Sequence, residues 1–437
     1  MGFYTGTTPR NIYLYTIKDG VFSVMRGLMP QLEQEIDGLE IVDNRLEIPL
    51  ESEPEFRENF ALWPEQEEAI SAGELAEVGL LQGSCGAGKT EMLLGLFKRL
   101  GQRTIVLVNT IKLLEQWYDR ANARFKNVKI GKVLAGKYEI ADLTIASQKT
   151  VLKHLDKLKN EFGCLMYDEV HGASAQTPLT ILNEFPAKFK IGATATPKRK
   201  DKKEFLFFGA FGEIFYILGD EVLLKKGKIH EIKMIVVPTE FNTDKYVKLA
   251  EVETLDGTLI TKVVKRDYHA LLNAMNADED RNRLILGDIK REIDSGHKCL
   301  VMSDRIADCM KWREILIDNG IKVSVMLSAS KAKENDVEDE SDNAVEMLKK
   351  GKIDCIIISP FGNTGLDIPM LDRGFIVTPS ASNSTKQIQQ CGRIKRIAEG
   401  KEDAAVFYYW DRNVYNFGGH LANINKIFKD VSILRRR

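Results

Sequence analysis

Residues 83–90 read GSCGAGKT, a run whose side chains are short until its last two positions. Gly83, Ser84, Cys85, Gly86, Ala87 and Gly88 leave their backbone N–H groups free to turn inward around phosphates. Lys89 can reach β- and γ-phosphate oxygens, and the Thr90 hydroxyl can hold Mg²⁺. The spacing fits Gly-x-x-x-x-Gly-Lys-Ser/Thr between a strand-like and a helix-like run, so a helix N-terminus adds its positive dipole. A second pair, Asp168 and Glu169, closes the apolar run CLMY. At the carboxyl end of a strand beside a phosphate loop, Asp168 would hold Mg²⁺ through water. Glu169 would orient and deprotonate the attacking water. ATP and Mg²⁺ are the expected ligands, and phosphoryl transfer to water the expected chemistry.

Groups of this kind need a sheet edge to hold them. The runs EVGLLQ, RTIVLV, ADLTIA, CLMYDE and KFKIGATAT alternate with helical patterns over residues 88–100 and 111–124. A second series, KCLVMS, KVSVML, DCIIIS, RGFIVTP and AAVFYYW, alternates with helices over 306–319 and 343–350. Short runs that are apolar on both faces are the pattern of parallel strands. The fold class is therefore α/β, two doubly wound parallel sheets in tandem. Residues 11–50 differ, with alternating segments that predict hairpins turning at Asp19-Gly20 and Asp43-Asn44. The expected division is a small β-rich N-terminal domain over 1–55, a first α/β domain over 56–220, and a connector plus second α/β domain over 221–437.

Composition narrows the class further. The 437 residues are 44% hydrophobic and 29% charged, and 62 basic residues nearly cancel 63 acidic ones. No global field draws such a chain to polyanions, so contacts with nucleic acid would use local patches such as KRKDKK at 198–203. The acidic stretch 334–342 reads as a solvated loop. Six cysteines lie scattered without zinc-ligand spacing, as reduced thiols do. No apolar run approaches the ~18 residues that span a bilayer, and the first residues carry no signal-peptide pattern. A soluble protein without a membrane partner is expected.

Taken in order, these segments resemble superfamily 2 helicases and translocases across residues 60–415. GSCGAGKT is similar to motif I, DEVH with His171 to motif II of the DExH kind, and IGATATP with Thr194, Ala195 and Thr196 to motif III. NTGLDIP, with Thr364, Gly365 and Asp367, resembles motif V. QQCGRIKR, with Gln389, Gly392, Arg393 and Arg396, resembles motif VI. The resemblance implies two RecA-like motor domains whose closure completes an ATP site. Arg393 and Arg396 would be catalytic, and Gly365 and Asp367 would contact the nucleotide. His171, Thr194, Thr196 and Gln389 would couple hydrolysis to motion. A DNA track would run over Asn109, Thr110, Ser147, Gln148, Ser303, Arg305 and Thr364, hydroxyl, amide or guanidinium groups suited to phosphate contacts without base reading. A cytoplasmic setting, bacterial or phage-infected, goes with it.

Two departures stand out. The family commonly shows Leu-Arg-Pro-Tyr-Gln where this chain has LWPEQ, keeping Pro64 and Gln66; Gln66 can still read an adenine edge through its amide. Gln390 stands where an Arg is frequent. Residues 208–241 and the N-terminal appendage are similar to phage recombination helicases of the UvsW type, which implies forked, branched or single-stranded DNA as substrate and a DNA contact for the appendage. An RNA helicase and an ATP-gated clamp are the alternative readings. In the connector, Asp256-Gly257 flanked by β-favouring residues predicts a projecting hairpin.

Overall fold

The computed structural model describes residues 14–38, 40–170, 176–197, 204–242, 247–253, 259–266, 268–327, 344–359, 368–378, 391–414 and 418–434. The chain divides into two compact units, Met1–Val222 and Leu223–Arg437.

The first unit opens with an antiparallel hairpin of β1 (Tyr15–Lys18) and β2 (Val21–Val24). Its turn carries Asp19 and Gly20 at φ +51° and +78°, the positive values that a tight hairpin turn demands. The second expected hairpin, at Asp43-Asn44, does not form. Arg45 turns back onto the Asp43 carboxylate and reaches Glu77. The chain beyond it finds partners elsewhere, in single bridges Leu46–Ala187, Pro49–Gln102 and Phe56–Phe125. Alternation in that stretch reflects a strap lying across the first unit rather than two paired strands.

The first sheet contains β3 (Val78–Gly83), β4 (Thr104–Val108), β5 (Ile130–Leu134), β6 (Lys137–Tyr138), β7 (Leu143–Ser147), β8 (Cys164–Asp168), β9 (Phe189–Thr194) and β10 (Ile214–Leu218). Its order is β10-β3-β9-β8-β4-β7-β5-β6. Every pair is parallel except β5 with β6. Register places Gln82 beside Thr194, Asp168 beside Ala193, Leu107 beside Tyr167 and Val108 beside Ser147. The last residues of β3, β9, β8, β4 and β7 thus lie along one carboxyl edge. Helices Lys89–Leu100 and Ile111–Arg124 follow β3 and β4.

The second sheet runs β15-β16-β14-β17-β18-β11-β19, all parallel. Its strands are β11 (Ile232–Asn242), β14 (Cys299–Met302), β15 (Val323–Met326), β16 (Cys355–Ile358), β17 (Arg373–Ile376), β18 (Ala404–Asn413) and β19 (Asp430–Ile433). Leu300, Met302, Ile356, Ile358 and Val406 pack on one face, and Cys299, Val301, Cys355, Ile357 and Phe375 on the other. Alternate residues feed two cores, so the strands read as uninterrupted apolar runs. The connector is more than a linker: β11 pairs with β18 from Ile232–Ala404 to Thr239–Asp411. A separate antiparallel pair, β12 (Val247–Glu253) with β13 (Leu259–Arg266), forms the expected hairpin, its tip outside the described residues.

Two tandem RecA-like parallel-sheet domains make up the protein. None of the six cysteines is in a disulfide, and five of them are buried. Among the described residues no helix is long and apolar enough to cross a membrane.

Candidate ATP site

The loop after β3 is shaped by glycine where only glycine serves. Gly86 and Gly88 hold φ +91° and +75°, and a Cβ on Gly88 would lie 2.4 Å from the Gln66 side-chain nitrogen. Gln66 braces the loop: its Nε2 donates to the Ala87 carbonyl at 3.2 Å while its Oε1 accepts the Trp63 N–H at 3.0 Å. Ser84 N–H donates to the Leu218 carbonyl, anchoring the loop on β10. Cys85 and Thr90 are half-buried.

Lys89, the first residue of its helix, donates to the Gly83 carbonyl at 3.2 Å and lies 3.9 Å from Glu169 Oε1. The lysine and the acidic pair therefore meet, although β9 separates their strands. Asp168 is buried, and its Oδ2 accepts the Trp117 indole N–H at 2.8 Å. Its Oδ1 is buried without a hydrogen-bond partner, an open acceptor toward which a hydrated cation fits. No cluster of three or more His, Cys, Asp or Glu among the described residues forms a self-sufficient cage. Glu169 takes φ +60°, a conformation few non-glycine residues adopt and one that recurs at functional sites.

Burial and the neighbouring Glu169 charge push the Asp168 carboxyl up to about 6, against the opposing pull of Lys89 and the Trp117 hydrogen bond. An acid raised in the folded state gives stability at low pH that is lost as pH rises through that value. At neutral pH the ionised carboxylate is thus a local cost, and Asp168→Asn, able to keep the indole bond, should relieve roughly 1–3 kcal/mol of it. The variant should melt several degrees above the wild type at pH 7.5 without nucleotide, and lose ATP turnover. A lower or unchanged midpoint in differential scanning calorimetry would contradict this.

The strand-end groups expected on the nucleic-acid track behave unequally. Asn109 and Gln148 bond to each other, and Tyr167 Oη donates to Asn109 Oδ1 at 2.9 Å. Asn109 Nδ2 also approaches the Glu169 carbonyl at 3.5 Å, which links the ends of β4 and β7 to the end of β8. Thr110 caps its helix, accepting the Leu113 N–H at 3.2 Å, and Ser147 sits at the N-cap of helix Gln148–Lys153 without a side-chain cap bond. Thr194 is buried, and its hydroxyl closes the turn onto Thr196.

In the second unit Ser303 is buried, bonded to Thr378 at 2.9 Å and to Asp308; it stabilises the sheet edge from inside. Arg305 is partly exposed, bonded to Asn273 and 3.4 Å from Asp308. Arg393 and Arg396 are half-buried on the segment that follows Cys391. His171, Thr364, Gly365, Asp367 and Gln389 lie outside the described residues, as do KRKDKK and the acidic loop. Sequence reading missed Trp117 and Tyr167. Trp117 shares a helical stripe with Leu114 and Ala121 and reads as core, but a buried indole N–H needs an acceptor, and that requirement was the available clue.

A phosphate loop with an acidic pair beside it, at the carboxyl edge of a RecA-like sheet, is the arrangement of a nucleotide-hydrolysing enzyme. The family model "Type III restriction enzyme, res subunit" matches residues 59–199, and "Helicase conserved C-terminal domain" matches residues 282–398. The "Probable helicase D10" of Escherichia phage T5 is 26% identical over 371 residues, covering 84% of this chain and 74% of the relative. The "DNA 3'-5' translocase XPB2" of Sulfurisphaera tokodaii is 24% identical over 379 residues, covering 84% of each. A helicase-named protein of Sulfolobus islandicus filamentous virus is 27% identical; the match spans 75% of this chain and 59% of that relative. Among solved structures, the DNA-bound Type ISP restriction-modification enzyme LlaBIII superposes with TM-score 0.60 at 15% identity over 86% of this chain and 31% of its own. Saccharomyces cerevisiae Dbp5 bound to RNA and ADP BeF3 gives 0.57 at 14%, over 86% and 94%. The chain is a superfamily 2 helicase, an ATP-dependent nucleic-acid motor, with XPB-type translocases and phage helicases among its relatives.

Proposed function

We propose that the protein is a DNA translocase that runs 3'-5' and remodels forked or branched DNA. The observation that carries the ATPase part is the meeting of Lys89, Asp168 and Glu169 at the carboxyl edge of one sheet, with the Asn109–Gln148–Tyr167 cluster against the Glu169 backbone. The DNA and the polarity are supported by relatives named as DNA 3'-5' translocases or helicases. The branched substrate rests on the sequence resemblance of residues 208–241 to UvsW-type helicases alone; the relatives found are XPB-type translocases and phage helicases, not specifically UvsW-like ones.

In this reading Lys89 exchanges the Gly83 carbonyl for phosphate oxygens as ATP arrives, and the N–H groups of Cys85, Gly86 and Gly88 take the remaining negative charge, those of Ser84 and Ala87 being bonded to the Leu218 and Ser84 carbonyls. Thr90 and, through water, Asp168 would hold Mg²⁺, which would supply positive charge at the phosphates. Glu169 orients the attacking water and takes its proton. Arg393 and Arg396 stabilise charge on the transferring phosphoryl group. A change at Glu169 is felt at Asn109 and Gln148 through their shared hydrogen bonds, which is how hydrolysis reaches the loops on the track.

The hairpin of β12 and β13 serves as a wedge where strands part. Shortening residues 253–260 to a tight turn should spare ATPase stimulation by single-stranded DNA and reduce unwinding of a forked duplex by about tenfold or more. Both activities are to be measured on one preparation at one salt concentration, because phosphate-driven binding shifts with salt. Unchanged fork unwinding removes the wedge, and equal loss of both activities assigns the hairpin to domain coupling. The substrate itself is tested by unwinding of matched DNA and RNA forks; preference for RNA, through its 2′-OH, would overturn the DNA reading.

A further inference from the structure

We propose that Lys401 is the positioning residue of the arginine segment, its ammonium fixing the backbone from which Arg393 and Arg396 project. This rests on the reading of those arginines as catalytic. Four backbone carbonyls converge on Lys401 Nζ: Pro369 at 3.2 Å, Leu371 at 2.7 Å, Arg396 at 2.7 Å, and Ile394. Pro369 closes the motif V resemblance and Leu371 follows it, and the other two belong to the motif VI segment. Four carbonyl dipoles aimed at one point repel unless a cation sits there, and the ammonium, its three N–H donors shared among them, is compact enough to lie at that point.

Accounting for the segment's carbonyls sharpens the point. Cys391 accepts the Ile394 N–H, Lys395 accepts the His230 N–H at 2.6 Å, and Ile394 and Arg396 fall to Lys401. Apart from the Ile229–Arg396 bridge, residues 391–396 belong to no strand ladder. Below them Ile394 and Leu371 are fully buried in the core, so water cannot replace the lysine at their carbonyls. One side chain thus ties the arginine segment to residues 369–371 on the same unit. A displacement of about 1 Å at a reacting group can cost on the order of 10²-fold in rate, which gives this tie catalytic weight.

Burial pulls Lys401 down to about 8; Arg373 and Arg396 act in the same direction, Asp372 and Asp403 oppose them, and His230 also faces it. The cationic clamp is therefore present below pH 8 and weakens above it, on the alkaline side of neutrality.

The test uses the full chain and steady-state ATPase with saturating single-stranded DNA. Lys401→Met should lower kcat by about 10- to 100-fold with KM for ATP changed less than about threefold. In an Arg393→Ala background the same change should have little further effect, because the lysine acts through the arginine. Wild-type kcat should decline as pH rises through about 8, and Lys401→Arg, which keeps its charge, should lose that decline. Retention of more than half the wild-type kcat by Lys401→Met overturns the proposal. So does a loss that multiplies in the Arg393→Ala background, or a wild-type kcat flat to pH 9.5. If Arg393→Ala and Arg396→Ala themselves leave kcat intact, the arginine assignment fails instead, whatever Lys401 does.

Discussion

Lys89→Ala should lower ATP turnover by about 10²- to 10³-fold, the range found when one charge-stabilising donor is removed from a transition state, while leaving DNA affinity within a few-fold. The Lys89 side chain is 12% exposed, and the Gly83 carbonyl and Glu169, among its neighbours, both belong to the candidate ATP site. Its removal takes away the positive charge nearest the phosphates and leaves Glu169 and Asp168 repelling each other without compensation. That second effect should raise the Asp168 carboxyl further, since Lys89 is one of the groups holding it down. Steady-state ATPase and fluorescence anisotropy with labelled single-stranded DNA check both halves. Turnover above a tenth of the wild-type rate would remove Lys89 from its role, and parallel loss of DNA binding would assign it to the track.

Arg393→Ala should be the more damaging for kcat, by about 10³- to 10⁵-fold, the value of an arginine placed on a transferring phosphoryl group. Arg396→Ala should follow in kind. KM for ATP should change little, since the guanidinium engages charge that develops in the transition state rather than the bound nucleotide. A loss confined to KM would show that the arginines bind ground state and transition state alike.

Much of this site was legible because its chemistry is local. Eight consecutive residues make a phosphate loop, and the apolar runs before Gly83 and Asp168 announce the strands that end there. Runs buried on both faces, such as TIVLV and CIII, were readable as parallel strands for the same reason. What stayed hidden depends on long-range pairing. Ile232–Asn242 alternates in burial along its length and reads as connector, yet it becomes a sheet strand through β18 far along the chain. Residues 46–50 alternate like a hairpin arm but satisfy their backbone against the segments around Ala187 and Gln102. Ser303 looks, by type and position, like a phosphate contact, and only its burial against Asp308 and Thr378 separates it from one. Lys401 carries no motif; its meaning lies in four carbonyls from separated segments that converge on it.

Hydrolysis at Lys89, Asp168 and Glu169 is proposed to be governed by nucleic acid. Multiple-turnover ATPase of the wild-type chain at fixed salt, without nucleic acid and with single-stranded DNA, duplex, fork, four-way junction and RNA, checks this, with Lys89→Ala as the blank. Slow turnover alone, stimulation of at least tenfold by DNA and the highest rate on forked or branched forms are expected. A rate indifferent to every nucleic acid, with the blank equally active, would contradict it.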